Sequence, residues 1–188
     1  MDFLLNEAER EFRDEVRAFL DAKLTEPMRA GARATTGVFA EPEVAGPWHR
    51  ALHEQGWAAY SWPAEHGGPG WTPMQRWIFE KETARAHAPA LPGMSLKLVG
   101  PVLYTFGSQA QKDRFLPRIL SGEDFWAQGF SEPGSGSDLA SLRTRAVREG
   151  DEYVVNGQKI WTTQAQFANW VFTLVRTDAE VKPQRGIS

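Results

Sequence analysis

The hydrophobic periodicity of this 188-residue chain changes once, near residue 125, which limits the fold to a helical part followed by a β part. Before the change, Phe12, Val16, Phe19, Leu20 and Leu24 recur at three- and four-residue spacing among charged residues. That stripe predicts a helix from about Asn6 to Leu24, with Asn6 as its N-cap. Thr72-Pro73-Met74-Gln75 and Ser108-Gln109-Ala110-Gln111 each place Gln three residues after a capping hydroxyl, the pattern that opens a helix. A short helix is expected from about Pro47 to Gln55, closed by Gly56, and an apolar helical stretch from Met94 to Phe106 is interrupted at Gly100-Pro101. The Gly/Ala/Thr-rich run from Thr25 to Phe39 breaks the periodicity and reads as a loop.

After Gly122 the pattern is that of strands. Arg143 to Glu149 alternates, and Tyr153-Val154-Val155 is aromatic and β-branched. Asn156-Gly157, set before Lys159-Ile160-Trp161-Thr162-Thr163, is a hairpin signal, because both turn positions favour positive φ. Gly150-Asp151 marks a second turn, and Trp170 to Val175 reads as a third strand. The expected organisation is a helical domain over residues 1–124 and an antiparallel β domain over 125–188. Few strands fit in the latter, so it reads as begun and cut off at Ser188.

Composition excludes several chemistries. A net charge of −3 and a pI near 5.8 argue against a nucleic-acid partner. The absence of Cys removes disulfides, thiolate zinc sites, iron–sulfur clusters and a Cys nucleophile together. Met1-Asp2-Phe3-Leu4-Leu5-Asn6-Glu7 lacks the basic and apolar regions of a signal peptide, and no run approaches the ~18 apolar residues of a membrane span. The expectation is a soluble, cytoplasmic protein. His49 and His53 are four apart on a helix, but no third ligand accompanies them, so no metal is assigned. His66-Gly67-Gly68-Pro69-Gly70 lacks the Lys and hydroxyl of a phosphate-binding loop and reads as a bend. Trp57, Trp62, Trp71 and Trp77, around that bend, read as packing.

The segment Gln128-Gly129-Phe130-Ser131-Glu132-Pro133-Gly134-Ser135-Gly136-Ser137-Asp138 reads as a strand entering a loop of small residues. Taken alone it is either a Gly/Ser turn capped by Asp138 or a loop whose N–H groups and hydroxyls meet a phosphate. The whole pattern resembles the acyl-CoA dehydrogenase signature [ST]-E-P-x-[AS]-G-S-D. The resemblance continues through Gly150-Asp151-Glu152-Tyr153, Val154 to Lys159, Trp161-Thr162-Thr163 and Ala168-Asn169-Trp170. Upstream it includes Trp62 to Gly68, Gly107 to Lys112 and Leu116 to Gly122. Trp126 to Thr144 is most similar to a bacterial branch that includes pimeloyl-CoA dehydrogenase, built from two different subunits.

The resemblance implies a helical N-terminal domain, a middle β-barrel-like domain and a C-terminal four-helix bundle, the last absent from this chain. It implies FAD as cofactor, an acyl-CoA substrate, an electron-transfer flavoprotein as acceptor, and a homo- or hetero-oligomer. It places Gln128, Gly129, Phe130, Ser131, Gly136, Ser137, Trp161, Thr162 and Thr163 along the flavin, with Ser137 also touching substrate. Ser131 would bond the pyrimidine edge, Trp161 would pack on the ring system, and Thr163 would stand near the nitrogen that accepts hydride. The alternative reading of Trp161 is a cross-strand packing residue, and the neighbouring motif favours the flavin role.

The family has Trp-Ile-Thr-Asn where this chain has Trp161-Thr162-Thr163-Gln164, and an aromatic residue is common at the position of Gln128. The implied reaction is α,β-dehydrogenation, the α-proton leaving to a Glu beyond residue 188. No catalytic residue therefore falls within the chain, and Glu132, Glu149 and Glu152 do not match the base. An acyl-CoA oxidase-like enzyme and a non-catalytic subunit of a two-subunit dehydrogenase share the same pattern.

Overall fold

Helix α1, Glu7–Lys23, starts where the sequence places it: the Asn6 carboxamide accepts from the Glu9 N–H and the Glu9 carboxylate accepts from the Asn6 N–H, both at 2.9 Å. The same reciprocal box opens α4, Pro73–Arg85, at Thr72 and Gln75, and α6, Gln109–Ser121, at Ser108 and Gln111. The computed structural model describes residues 5–188. The signal-peptide reading of Met1 to Leu4 lies outside the described residues. The chain divides into two compact units, Met1–Phe125 and Trp126–Ser188, each taken by itself below.

In the first unit the run after Leu24 is not a loop. Helix α2, Glu26–Ala34, forms with Thr25 as N-cap and Pro27 in its first turn. Alanines supply the helix propensity, and no fully buried stripe is present to betray it. A Cβ at Gly31 would lie 2.8 Å from the Val44 methyls, so the missing side chain lets α2 approach α3, Pro42–Glu54. Helix α3 starts five residues before Pro47, because Pro42 occupies its first turn behind Glu41. Gly56 follows its end at φ 78°, where glycine is strain-free.

The core lies between α1, α3 and α4 and is largely aromatic: Phe12, Phe19, Trp48, Trp57, Trp71 and Phe79 are all buried. Phe19 and Trp57 have centroids 4.7 Å apart, and Phe12 meets Trp71 edge-on at 5.0 Å. Trp57, Trp62 and Trp71 therefore pack as expected, while Trp77 is 38% exposed beneath the Lys81 ammonium. Across α1 and α4, Arg17 Nε donates to the buried Glu82 at 2.8 Å.

Met94–Val99 is a π-helical turn that runs into α5, Gly100–Phe106. The Gly100 N–H donates to Ser95, and the next residue, Pro101, has no N–H for the Leu96 carbonyl. The buried Trp62 indole supplies it, Nε1 donating at 2.6 Å. That approach needs glycine at position 100, where a Cβ would stand 2.1 Å from Trp62 Cζ2.

His49 is buried in the same unit, its Nε2 donating to the Leu120 carbonyl at 3.0 Å. Burial lowers its pKa from 6.5 to about 4 against the opposing effect of that bond, with Arg50 and His53 adding to the depression. The unfolded chain thus takes up a proton near pH 6.5 that the folded unit refuses until about pH 4. Stability from this group is complete above pH 6.5 and is lost as pH falls toward 4, a change on the order of 3 kcal/mol. Urea unfolding of His49→Gln against the parent at pH 7 and pH 4.5 checks this: the variant is expected to show the shallower pH dependence. Among the described residues, no cluster of three His, Cys, Asp or Glu could hold a metal, and no helix is long and apolar enough to cross a membrane.

The second unit contains β1, Trp126–Gly129; β2, Arg145–Glu149; β3, Glu152–Asn156; and β4, Trp170–Thr173. These form two ladders, β2–β3 antiparallel and β1–β4 parallel, and the sheet is not a closed barrel. The parallel pairing departs from the antiparallel expectation. It follows from the long excursion between the two strands, which returns Trp170 opposite Trp126, the rings stacked at 5.6 Å.

The hairpin turn is Gly150-Asp151, with Gly150 at φ 65° and Glu149 opposite Glu152. Asn156-Gly157 makes no turn. Asn156 still pairs with Arg145, Gly157 runs nearly extended at φ 158°, and a Cβ there would sit 2.3 Å from Thr144 Oγ1. Its glycine serves a close approach, so the strand expected at Lys159 to Thr163 does not form.

Candidate functional site

The parallel ladder sets the first half of the motif. Gln128 lies opposite Phe172 and is half-buried, and Gly129 is buried opposite Thr173. Thr173 Oγ1 donates to the Gly129 carbonyl at 2.6 Å, and a Cβ on Gly129 would lie 2.8 Å from that hydroxyl. Phe130 packs edge-on against Phe172 at 5.4 Å. Beyond it the chain doubles back in a tight turn: Glu132 and Ser135 exchange backbone hydrogen bonds of 2.7 and 3.0 Å. Ser135 Oγ donates to the Asp138 carbonyl, closing the loop.

The chain after β3 returns to this turn. The Ile160 N–H donates to the Ser131 carbonyl at 2.9 Å, and Lys159 Nζ donates to the Phe130 carbonyl at 3.0 Å. Trp161 follows with φ 59°, a left-handed conformation that costs a non-glycine residue on the order of 1 kcal/mol or more. Its side chain is 83% exposed, so it is not a cross-strand packing residue. Gln164 adopts the same conformation, at φ 59°, ahead of the short 3₁₀ turn Ala165–Phe167. A large aromatic side chain held outward in a strained backbone, flanked by the Thr162 and Thr163 hydroxyls, is suited to receiving a flat partner.

The residues singled out in the sequence thus fall into two groups. Gln128 to Ser131 and the Trp161-Thr162-Thr163 segment are brought together through Lys159 and Ile160. Gly136 and Ser137 lie on the exposed side of the turn, with open space around the Gly136 Cα. No hydrogen bond among the described residues ties them to the Trp161 segment.

Glu132, weighed in the sequence only as a base, and Lys159, placed there only in a strand, have a different role in the structure. Glu132 is 9% exposed and accepts from the Arg143 N–H at 2.6 Å, the Thr144 N–H at 2.9 Å and Lys159 Nζ at 2.9 Å. Burial pushes its carboxyl upward, but Lys159 with the Thr144 and Arg143 donors outweighs it and holds the pKa at about 2. So weak a base does not take a proton from carbon at neutral pH. The available signal was an acidic residue inside a loop of small residues, with a Lys in the next extended segment.

The helical unit separately holds an apolar cavity of about 450 Å³, bordered by Phe39, Leu52, Phe79, Ala90 and Leu96. At its edge the Tyr60 hydroxyl donates to Glu80 at 2.6 Å, and burial together with that carboxylate raises the phenol pKa.

Residues 6–123 match the acyl-CoA dehydrogenase N-terminal domain, and residues 127–188 match the acyl-CoA dehydrogenase middle domain. The chain belongs to the acyl-CoA dehydrogenase family. Acyl-CoA dehydrogenase FadE26 of Mycobacterium tuberculosis is 41% identical over 183 residues, covering 96% of this chain and 46% of that protein. Among solved structures, the Tcur3481–Tcur3483 steroid ACAD superposes with a TM-score of 0.84 at 39% identity, over 100% of this chain and 48% of the other. The ChsE4–ChsE5 complex from Mycobacterium tuberculosis gives 0.82 at 40% identity, over 100% and 47%. The chain spans about half the length of the curated relatives it matches.

Proposed function

We propose that this chain supplies the helical domain and part of the flavin site of an FAD-dependent acyl-CoA α,β-dehydrogenase. The observation that carries the reading is the exposed, left-handed Trp161 tied by Ile160 and Lys159 to the backbone of Phe130 and Ser131. Family membership supports the dehydrogenase class. FAD, when bound, supplies a two-electron acceptor for the β-hydrogen of the acyl group.

The residues present fit such a group. Trp161 offers a ring to pack on, and Ser131, Thr162 and Thr163 offer hydroxyl and backbone donors at polar ring edges. Gly136 and Ser137, exposed with little around them, leave room for a phosphate chain. Gln128, Gly129 and Phe130 lead from β1 into this turn, and Ser137 is also assigned to the substrate. By resemblance to the family, the α-proton is assigned to a glutamate beyond residue 188; Glu132, fully engaged, is held too acidic for that role.

The intact protein, cytoplasmic and oligomeric with electron-transfer flavoprotein as acceptor, is expected to carry FAD. Anaerobic addition of the right acyl-CoA is expected to bleach the flavin absorbance stoichiometrically. Steroid-bearing thioesters head the panel because one structural relative is a steroid ACAD, and dicarboxyl thioesters come second. A protein that binds flavin yet is bleached by no acyl-CoA would favour the second reading, a non-catalytic partner in a two-subunit dehydrogenase. Two structural relatives carry paired names, which supports an assembly of two different subunits. Faster turnover with oxygen than with electron-transfer flavoprotein would mark an oxidase instead.

A further inference from the structure

Three separate segments of the second unit converge on one carboxylate. The Glu132 side chain is 8% exposed and that of Lys159 15%, so the pair is shielded from solvent. One Glu132 oxygen accepts from Lys159 Nζ and the Thr144 N–H, and the other accepts from the Arg143 N–H. The Lys159 ammonium spends a second donor on the Phe130 carbonyl. Lys159 is two residues before Trp161, and Glu132 is the residue after Ser131. The ion pair therefore bolts together the two stretches that carry the proposed flavin contacts, and the Ile160-to-Ser131 bond lies directly beside it.

A buried ion pair is a poor device for stability alone, because desolvation offsets much of its attraction and an apolar pair of similar size often does as well. Its strength is geometric: a carboxylate accepting from three fixed donors leaves little freedom to any of the three segments. The strained backbone at Trp161 persists only if something nearby over-determines it. Lys159, anchored at both Phe130 and Glu132, and the Ile160 N–H on the Ser131 carbonyl are the anchors that precede it.

We propose that Glu132 and Lys159 form a positioning pair that holds Trp161 and Ser131 at the spacing in which the flavin is received. The assignment rests on the flavin reading above. Neither residue touches the reacting atoms; both act through the residues they hold.

The test uses the intact protein with Glu132→Gln, Lys159→Met, the double variant and Lys159→Arg. Two readouts are taken: the flavin Kd, with the visible circular dichroism of bound flavin, and amide hydrogen exchange over residues 158–163 without flavin. Each single variant is expected to raise the flavin Kd about tenfold and to change the dichroism, because a loosened site must be ordered on binding. The double variant is expected to be no worse than either single, since both remove one coupled interaction. Lys159→Arg, which keeps a cation, is expected to recover most of the affinity.

Unchanged Kd and unchanged exchange would overturn the proposal, as would full additivity of the two single variants. If the parent protein takes up no flavin, the flavin reading fails, and exchange alone then judges the pair. Faster exchange at 158–163 in Glu132→Gln would sustain its hold on Trp161; equal exchange would overturn it. If Glu132→Gln does not fold, the comparison of Lys159→Met with Lys159→Arg decides by the same two readouts.

Discussion

Trp62→Ala is expected to cost the helical unit about 3–5 kcal/mol, measured as a fall in the urea midpoint at unchanged m-value. Trp62 is 1% exposed, with its ring edge-on to Tyr104 at 5.5 Å and pressed against Gly100. Removing the indole leaves a cavity and takes the donor from the Leu96 carbonyl, which Pro101 cannot replace. Trp62→Phe separates the two effects. It keeps most of the ring volume and loses the N–H, so its expected cost is the smaller, about 1–3 kcal/mol.

Gly100→Ala completes the cycle. In the parent the new Cβ would lie 2.1 Å from Trp62 Cζ2 and must be strongly destabilising. In the Trp62→Ala background the ring is gone and only the Ser95 carbonyl, 3.0 Å from the new Cβ, remains close, so the alanine is expected to cost much less. Additive effects of the two substitutions, or a Trp62→Ala loss below about 1 kcal/mol, would contradict the packing described here.

Elements whose cause is local were legible in the sequence. The N-cap at Asn6 and the capping boxes at Thr72 and Ser108 act within four residues, and all three open helices at those positions. Trp57, Trp62 and Trp71, around His66 to Gly70, were legible as packing for the same reason that they are buried: large apolar area has no better place. The readings that failed depended on distant partners. Glu26–Ala34 buries no residue completely, so its helix has no stripe to reveal it, and its fit to α3 depends on Val44 meeting Gly31. Asn156-Gly157 carries a sound turn signal, yet Gly157 is claimed by the close approach of Thr144, thirteen residues upstream. Half of the candidate site was readable as a motif. The Glu132 pair was not, because an ion pair joining residues 132 and 159 has no period and no spacing rule.

That pair also sets the second large effect, an acid sensitivity confined to the β unit. The Glu132 carboxyl has its pKa lowered from 4.5 to about 2, so in the folded state it stays ionised where the unfolded chain is protonated. A depressed carboxylate pKa contributes stability that is complete above pH 4.5 and disappears as pH falls toward 2. The contribution lost across that window is on the order of 3 kcal/mol.

The Arg143 and Thr144 amides report it directly, because both donate to this carboxylate. Their hydrogen exchange, corrected for the intrinsic pH dependence, is expected to accelerate steeply between pH 4.5 and pH 2. Glu132→Gln cannot titrate, so its exchange at those amides should be faster at pH 6 and should approach that of the parent near pH 2. His49, in the other unit, loses its contribution at higher pH, between 6.5 and about 4, so the two acid effects separate along the pH axis. Equal protection of Arg143 and Thr144 in parent and Glu132→Gln at pH 6 would mean that the carboxylate does not hold the start of β2.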